Sequence, residues 1–506
     1  MEQKCAARQV SESQEDPNLI FIRYYLPCMS QASYLFGDKS SGRAYVVDPR
    51  RDANQYIKDA QKHGLTLKGV LETHIHTDFV SGHLELSKST GAPVYIGENN
   101  KVSYSHIPVQ GGLSIRVSDS YCIVAMSTPG HTPGCVSYIL EHKTRGPIKA
   151  FTGDILFVGA VGQPDLCGCN ANGAQEMASV LFDSLWSKLL LLPPSVEVCP
   201  THGPRSPCGR SCDANDLCST IGKEIETNPG LQFSKKQDFI DYITKTVCDT
   251  PQYFPFAVVL NKIGAECVQQ YVESIPALSA EDFFGFYNIC DSGVLILDSR
   301  EAVDFASGHI PRSLNFPLGD SSGELLRRED GTFAIWVGTI LAANKPLLVI
   351  SPPGKEDETA LRIARIGYSN VLGVLKGGIS AWKAAEYPIE ENPLIMSFDS
   401  AKLLGDPDIE RKFLDVRTDI EFTGCDGHVK NAIHIPMTQL HRRFGELSKK
   451  PEYIVYCSAG YRSVIASSLL KSAGFKARSI FGGYELNLLP NHPELIFYEE
   501  SNDFAV

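Results

Sequence analysis

Two imidazoles and a carboxylate, His74, His76 and Asp78, crowd the head of one short string, Thr73-His74-Ile75-His76-Thr77-Asp78-Phe79-Val80-Ser81-Gly82-His83. Neutral imidazole and carboxylate are ordinary ligands for zinc or iron, so the chemistry on offer is metal-assisted. More groups of these kinds follow in order: His131 in Pro129-Gly130-His131-Thr132-Pro133, Asp154 in Thr152-Gly153-Asp154, and His202 in Pro200-Thr201-His202-Gly203. Far downstream, Cys457-Ser458-Ala459-Gly460-Tyr461-Arg462-Ser463 offers a thiol. The N–H groups of such a loop, a helix beginning near Val464 and the Arg462 side chain can converge on the sulfur. That geometry lowers a thiol's pKa and also holds an anion.

The elements that must position these groups read as alternating strands and helices. Lys68-Gly69-Val70-Leu71-Glu72 is a buried strand that delivers the first string to a strand-to-helix loop, where rigid scaffolds place reactive groups. Residues 44–48 form a strand ended by Pro49, and 54–63 a helix stopped by Gly64. A short helix over 84–90 and a strand over 93–96 follow. Residues 121–127 form a strand that runs into the His131 turn, 136–140 the next strand, and 150–152 lead to Asp154. Gly and Pro beside His131 and Asp154 put both on tight loops. Residues 215–275 read as helices interrupted by Pro229, Pro251 and Pro255 that close a first domain. The apolar run Gln252-Tyr253-Phe254-Pro255-Phe256 reads as packing between domains.

With 506 residues the chain is long enough for two to four domains. A net charge of −12 argues against a nucleic-acid or anionic-membrane partner. No apolar run is long enough to predict a membrane-spanning helix. Residues 1–18 are polar and acidic, without a secretory core, and read as a flexible tail of a cytoplasmic protein. Fifteen cysteines without a signal peptide point to thiol or metal chemistry rather than disulfides. Six of them, Cys167, Cys169, Cys199, Cys208, Cys212 and Cys218, lie close together at spacings that match no standard zinc motif; buried inert thiols are the plain alternative.

The succession of strand–HxHxD, strand–PGH, strand–TGD and PTHG resembles the metallo-β-lactamase fold, an αββα sandwich with metal at the strand ends, over about residues 19–235. Dinuclear hydrolases of that fold, glyoxalase II among them, carry a further His after HxHxD, where this chain has Phe79. The resemblance then implies one metal held by His74, His131 and Asp154, the facial set of non-haem Fe(II) oxygenases with open positions. It makes His76, Asp78 and His202 hydrogen-bonding groups behind the ligands, which orient them and move protons, and His83 a packing residue. The fuller string Glu72 to His83 resembles the persulfide dioxygenases fused to rhodanese domains. So do Ser33-Tyr34-Leu35, Asp48-Pro49-Arg50, Thr152-Gly153-Asp154-Ile155-Leu156-Phe157-Val158-Gly159 and Ser219-Thr220-Ile221-Gly222. That family implies one Fe(II) per chain, O2, a thiol persulfide of glutathione, coenzyme A or similar, sulfite as product, and a homo-oligomer. Gly162-Gln163-Pro164-Asp165 departs from the family's G-R-P-D and removes a positive charge from the substrate loop. Cys208, just after His202, is a candidate sulfane acceptor or a structural thiol.

The second half repeats itself. Leu297-Asp298-Ser299-Arg300 echoes Leu414-Asp415-Val416-Arg417, Gly308-His309 echoes Gly427-His428, Val349-Ile350-Ser351 echoes Val455-Tyr456-Cys457, and Gly377-Gly378 echoes Gly482-Gly483. Each copy alternates strands and helices, so each is expected to be a small α/β unit with a central parallel sheet. The second copy's C-x-x-G-x-R-S loop, with Asp415-x-Arg417 upstream, resembles a rhodanese sulfurtransferase. That implies Cys457 as the persulfide-carrying nucleophile, Arg462 as the residue that orders the loop and its anion, and Ser458, Ala459, Gly460 and Tyr461 as the substrate-binding loop. A protein-phosphatase loop shares the logic but is longer. The first copy has Ser351 in place of Cys, a poor sulfur acceptor, and reads as inactive.

The expected layout is α/β throughout: a tail over 1–18, a metallo-β-lactamase-fold persulfide dioxygenase domain with closing helices over 19–265, an inactive rhodanese-like domain over 275–390 and an active rhodanese domain over 396–492. The expected activity is oxidation of a thiol persulfide to sulfite, coupled through Cys457 to sulfur transfer between persulfide, sulfite and thiosulfate in either direction. Three alternatives stand beside it: a zinc thioester hydrolase of the glyoxalase II type, a sulfurtransferase whose iron site Gln163 impairs, and a non-enzymatic sulfur-binding or redox-sensing protein.

Overall fold

The computed structural model describes residues 7–12, 16–164, 171–203, 218–245, 250–289, 293–319, 333–396 and 409–498. The chain forms two compact units. The first runs to Tyr271 and takes in Ala364–Gly367; the second holds Val272–Ile363 and the chain from Tyr368 onward.

Two sheets make the first unit. Strands β1 (Ala7–Glu12), β2 (Leu19–Leu26), β3 (Gln31–Asp38), β4 (Arg43–Val47), β5 (Thr66–Glu72), β6 (Val94–Gly97) and β7 (Ile107–Val109) lie side by side in chain order. The second sheet uses β8 (Ser114–Arg116), β9 (Tyr121–Ser127), β10 (Val136–His142), β11 (Gly146–Gly153), β14 (Glu197–Pro200) and β15 (Ser219–Thr220), in the order β15-β14-β11-β10-β9-β8; the small ribbon β12 (Leu156–Phe157) and β13 (Ala160–Val161) stands apart. Strand periodicity sorts the apolar side chains into layers, because successive residues point to opposite faces. Leu19 and Phe21 of β2 join Tyr138 and Leu140 of β10 between the sheets. Ile20, Ile22 and Tyr24 of β2 turn outward onto Tyr56 and Ala60 of the helix Asn54–Lys62 and Leu86 of the helix His83–Thr90. On the other side Ile139 of β10 meets Leu181 and Leu185 of the helix Ala171–Trp186 and Phe239 of the helix Lys236–Thr244. Strands buried on both faces and helices outside them make this the αββα sandwich.

Residues 7–12, expected within a flexible tail, form an edge strand instead. β1 pairs antiparallel with β2 from Ala7 opposite Tyr25 to Glu12 opposite Ile20. An exposed edge offers a row of unpaired backbone groups, and this segment satisfies them.

The second unit contains two small sheets. One runs, in spatial order, Ala277–Leu278, Val371–Leu375, Leu347–Ile350, Leu295–Asp298 and Leu314–Asn315; the other Ile433–His434, Arg411–Asp415, Glu452–Tyr456 and Lys476–Ser479. Every pairing within each is parallel, as the repeat predicts. The repeat extends to a buried ion pair. Arg300 forks onto Asp298 and donates to the Gly308 carbonyl at 3.0 Å, and Arg417 does the same with Asp415 and Gly427 at 3.0 Å. Among the described residues no helix is long and apolar enough to cross a membrane.

Phe151 on β11 is fully buried at the centre of the sandwich, with ring centroids 6.3, 5.3 and 5.1 Å from those of Phe21, Tyr34 and Phe36. Phe151→Ala should cost about 3–5 kcal/mol, read as a lower urea midpoint for the first unit's unfolding. An unchanged midpoint would show that this ring cluster does not hold the sheets together.

Candidate metal centre and thiol loop

β5 ends at Glu72, and the helix His83–Thr90 begins only at His83, so the intervening loop must be fixed by other means. Two devices fix it. A Cβ on Gly82 would lie 2.3 Å from the Arg50 carbonyl oxygen, so only glycine permits this close approach. Asn261, buried in the helix Phe254–Ile263, donates through Nδ2 to the carbonyls of His76 and Phe79, each at 2.8 Å, and accepts from the Ser81 N–H at 2.8 Å. Sequence reasoning missed Asn261. Its one signal is a lone amide within Phe254-Pro255-Phe256-Ala257-Val258-Val259-Leu260-Asn261, an otherwise apolar stretch. The helix that this run opens lies within the first unit.

The loop brings His74 to His131 and Asp154. All three are buried, and one ligating atom of each lies within 4.8 Å of the others. His74 Nε2 and His131 Nε2 are 3.7 and 3.6 Å from Asp154 Oδ2. The opposite nitrogens are held from behind. His131 Nδ1 donates to the Gln163 carbonyl at 2.7 Å. Thr73 Oγ1 donates to Asp48 Oδ2 at 2.8 Å and sits 2.9 Å from His74 Nδ1, so it accepts that N–H. Such bonds fix the tautomer and leave Nε2 as the lone-pair atom facing inward. His131 Nε2, fully buried, has no hydrogen-bond partner in the protein. A buried acceptor of this kind costs roughly 1–3 kcal/mol when unsatisfied, and a cation among the three side chains would satisfy it. The donor set of two imidazoles and a carboxylate therefore fits a single metal ion of the iron or zinc type. Asp154 stands where it does because the backbone is nearly in contact behind it: a Cβ on Gly162 would lie 1.7 Å from the Asp154 carbonyl oxygen.

The two histidines expected behind the ligands, His76 and His202, face carboxylates, and Asp78 is a partner of His202. His202 Nδ1 is 2.8 Å from Asp154 Oδ1, and its Nε2 is 2.7 Å from Asp78 Oδ2. With both ring nitrogens so engaged, His202 braces the two acids. Burial opposes its charge, but Asp154 and Asp78 outweigh burial and hold the imidazolium well above the usual histidine range. Burial likewise disfavours the Asp154 anion, and the His202 charge overrides it, so the carboxyl stays well below the usual range. His76 Nε2 lies 3.3 Å from Asp48 Oδ1 and 3.4 Å from Glu72 Oε2, and its ring stacks on Phe79 at 4.3 Å. Asp48, Glu72 and His76 form the second such cluster among the described residues. Burial works against the His76 cation, but the two acids raise its pKa to about 10. His83 is buried with Nδ1 3.9 Å from Glu72 Oε1 and its ring against Tyr104. Cys208 and Asp165 lie outside the described residues.

In the second unit, Cys457 follows the strand Glu452–Tyr456 and is fully buried. The Gly460 N–H donates to its sulfur at 3.1 Å, and Ser463 Oγ is 3.7 Å away. The helix begins at Tyr461, not near Val464, so Tyr461, Arg462 and Ser463 form its first turn. Gly460 at φ 104° makes the bend that turns the loop into this helix. Both terminal nitrogens of the Arg462 guanidinium bond to Glu421 at 2.7 Å. The planar fork of arginine matches a carboxylate, and Glu421 is already fixed as the capping-box acid of Thr418. Tyr461 donates to the Pro317 carbonyl at 2.8 Å, so its hydroxyl ties the loop to the first copy. The loop arrives beside the sulfur through Ser458, whose hydroxyl bonds to Glu485, with Ala459 buried next to it. In the first copy Ser351 occupies the matching strand end, buried, with no partner for its hydroxyl.

The Metallo-beta-lactamase superfamily model matches residues 26–202, and the Rhodanese-like domain model matches 286–385 and 399–486. The chain is 28% identical over 265 residues to a mitochondrial persulfide dioxygenase of Bos taurus, covering 51% of this chain and 94% of that protein. It is 30% identical over 239 residues to a cytoplasmic hydroxyacylglutathione hydrolase of Arabidopsis thaliana, covering 42% of this chain and 89% of that protein. Among solved structures, a metallo-beta-lactamase from Staphylococcus aureus subsp. aureus COL is 28% identical at a TM-score of 0.61, covering 71% of this chain and 99% of that one. The chain belongs to the metallo-beta-lactamase superfamily. Two rhodanese-like domains follow that domain, the layout of a dioxygenase–rhodanese fusion.

Asn261→Ala removes three buried hydrogen bonds and should cost about 2–4 kcal/mol, seen as a lower melting temperature together with weaker metal retention; stability loss with metal content unchanged would mean the loop does not need this clamp. The Glu421–Arg462 pair gives an acid signature. Burial opposes the Glu421 anion, but Arg462 and Thr418 bring its pKa from 4.5 down to about 2. The depressed value means the pair stabilises above pH 4.5 and is lost as pH falls through about 2. Glu421→Gln should therefore flatten the second unit's loss of thermal stability across that window, as scanning calorimetry would register.

Proposed function

We propose that this chain oxidises a low-molecular-weight thiol persulfide with O2 to sulfite and free thiol, and that Cys457 moves sulfane sulfur between persulfide, sulfite and thiosulfate. The reading places the oxidising domain over 19–265, an inactive rhodanese-like domain over 275–390 and the active one over 396–492. One observation carries it: His74, His131 and Asp154 turn ligand atoms towards one another, while the remaining nitrogens of His76 and His202 face carboxylates and Phe79 supplies no ligand. That leaves ligands for one metal with open positions, the arrangement of non-haem Fe(II) oxygenases. The persulfide dioxygenase of Bos taurus among the relatives supports the substrate class.

Fe(II) held by His74, His131 and Asp154 would supply the redox chemistry that joins O2 to the terminal sulfur. The reaction balances as R–S–SH + O2 + H2O giving R–SH and sulfurous acid. The chain's own part is placement and proton handling. Thr73 and the Gln163 carbonyl orient the two imidazoles, and the Asp48 carboxylate anchors Thr73. His202, between Asp154 and Asp78, steadies the carboxylate ligand and is the nearest proton reservoir to it. Gln163 is buried with its side-chain oxygen unpaired, so a neutral acceptor for an N–H of the carrier thiol stands where the family has arginine. At the second site Cys457 attacks the sulfane sulfur of a persulfide, R–SH leaves, and sulfite then takes that sulfur to give thiosulfate. The Gly460 N–H at the Cys457 sulfur favours the thiolate. Arg462, forked on Glu421, orders the loop and the anion it takes.

A zinc thioesterase is the second reading, favoured by the hydroxyacylglutathione hydrolase of Arabidopsis thaliana at 30% identity. Variants separate the two halves of the proposal. His131→Ala should lower O2 uptake with glutathione persulfide by about a hundredfold or more, reduce bound iron, and leave thiosulfate-to-thiol transfer intact. Cys457→Ser should do the reverse. If either substitution abolished both activities, the two-site scheme would fail.

A further inference from the structure

The cysteine cluster of the first unit is absorbed by neither site. Two of its members, Cys199 and Cys218, lie within the described residues, both as free thiols. Cys199 sits in β14, and Cys218 immediately precedes β15. In this antiparallel pair Glu197 faces Thr220 and Val198 faces Ser219. Continued by one step beyond the paired residues, the same register would set Cys199 across from Cys218. Opposed residues in an antiparallel pair have Cα atoms roughly 4.5–5.5 Å apart with side chains on one face, inside the roughly 4.4–6.8 Å that a disulfide bridges.

A third group meets these thiols from the other sheet. Arg23, on β2, donates through Nη1 to Cys218 Sγ at 2.6 Å and through Nη2 to Glu197 Oε1 at 2.8 Å. It is only 4% exposed, and its Nε has no partner. A guanidinium donating to a sulfur holds it in place and draws an anionic sulfur donor towards it. The two thiols are not equivalent. Cys218 is exposed, whereas burial, reinforced by the Glu197 charge, pushes the Cys199 thiol up to about 12.

We propose that Cys218 is a further sulfane-sulfur acceptor, with Arg23 holding its sulfur and Cys199 as the resolving thiol. The proposal rests on the persulfide reading for its substrate class. In the first step the Cys218 thiolate attacks the terminal sulfur of R–S–SH, the S–S bond breaks, and R–SH leaves with the proton, so Cys218 carries –S–SH. In the second step Cys199 attacks Cys218 Sγ, the new S–S bond breaks, hydrogen sulfide leaves, and the Cys199–Cys218 disulfide forms. Two cysteine thiols are oxidised and one persulfide is reduced to R–SH and hydrogen sulfide; no other oxidant is needed. Pro200 and Thr201 alone separate Cys199 from His202, so the bridge closes on the strand that carries the brace of Asp154.

The test uses the full chain bearing Cys457→Ser, so that the rhodanese thiol does not compete, treated with glutathione persulfide without O2. Alkylation and peptide mass spectrometry then read the thiols. The expected result is a Cys199–Cys218 linked peptide. Adding Cys199→Ser should leave Cys218 alkylated with one extra sulfur, and Arg23→Gln should slow Cys218 modification by about tenfold; Arg23→Lys, which keeps the charge, should restore part of the rate. An unmodified Cys218, or a Cys218 linked to a different cysteine, would overturn the proposal. Because O2 is excluded and the readout is covalent, failure here is distinct from failure of the dioxygenase reading, which shows as absent O2 uptake.

Discussion

A buried carboxylate must be paired, and the first unit buries four of them around the four histidines of the centre: Asp48, Glu72, Asp78 and Asp154. Leaving any of these charges uncompensated would cost several kcal/mol. The pairing that results sorts the histidines into two sets. His76 goes to Asp48 and Glu72, and His202 goes to Asp78 and Asp154. His74 and His131 are the pair left with Nδ1 fixed by neutral acceptors and Nε2 turned towards Asp154. The capacity for one metal follows from this division more than from the number of histidines.

The same division explains why distant elements matter to the centre. Asp48 closes a strand in one sheet, yet it accepts from Thr73 on the loop and from Thr201 beside His202, so one carboxylate ties three strand ends together. It does so in the left-handed region, at φ 47°, a conformation Asp tolerates better than most side chains. Asn261 performs the complementary task on the loop's backbone. The second unit solves a related problem with different means. There three arginines are held by carboxylates, Arg300 and Arg417 within their own strand ends and Arg462 across to Glu421, and the buried thiol meets the Gly460 N–H and the Ser463 hydroxyl.

Much of this architecture is legible in the residues. The strands of the sandwich appear as apolar runs because both faces are buried, and the repeated Asp-x-Arg and Gly-His strings correspond to the same ion pair built twice. His131 and Asp154 can be picked out because Gly and Pro mark the tight turns that hold them, and His74 because it follows an apolar strand directly. The edge strand β1 cannot, since its residues are polar and its pairing is made by backbone groups that carry no side-chain signal. Asn261 cannot either, because its partners lie 185 and 182 residues away and are main-chain carbonyls. The Glu421 partner of Arg462 is hidden for a similar reason: it reaches the guanidinium from another element, 41 residues away. The opposition of Cys199 and Cys218 emerges only once the register of β14 and β15 is known.

The central claim is that one iron, held by His74, His131 and Asp154, joins O2 to a persulfide sulfur. Its most direct test is to quantify metal per chain and, on the same sample, O2 consumed against sulfite formed with glutathione persulfide. The account predicts one iron per chain and one O2 per sulfite. Two zinc ions per chain, with thioester hydrolysis and no O2 uptake, would contradict it.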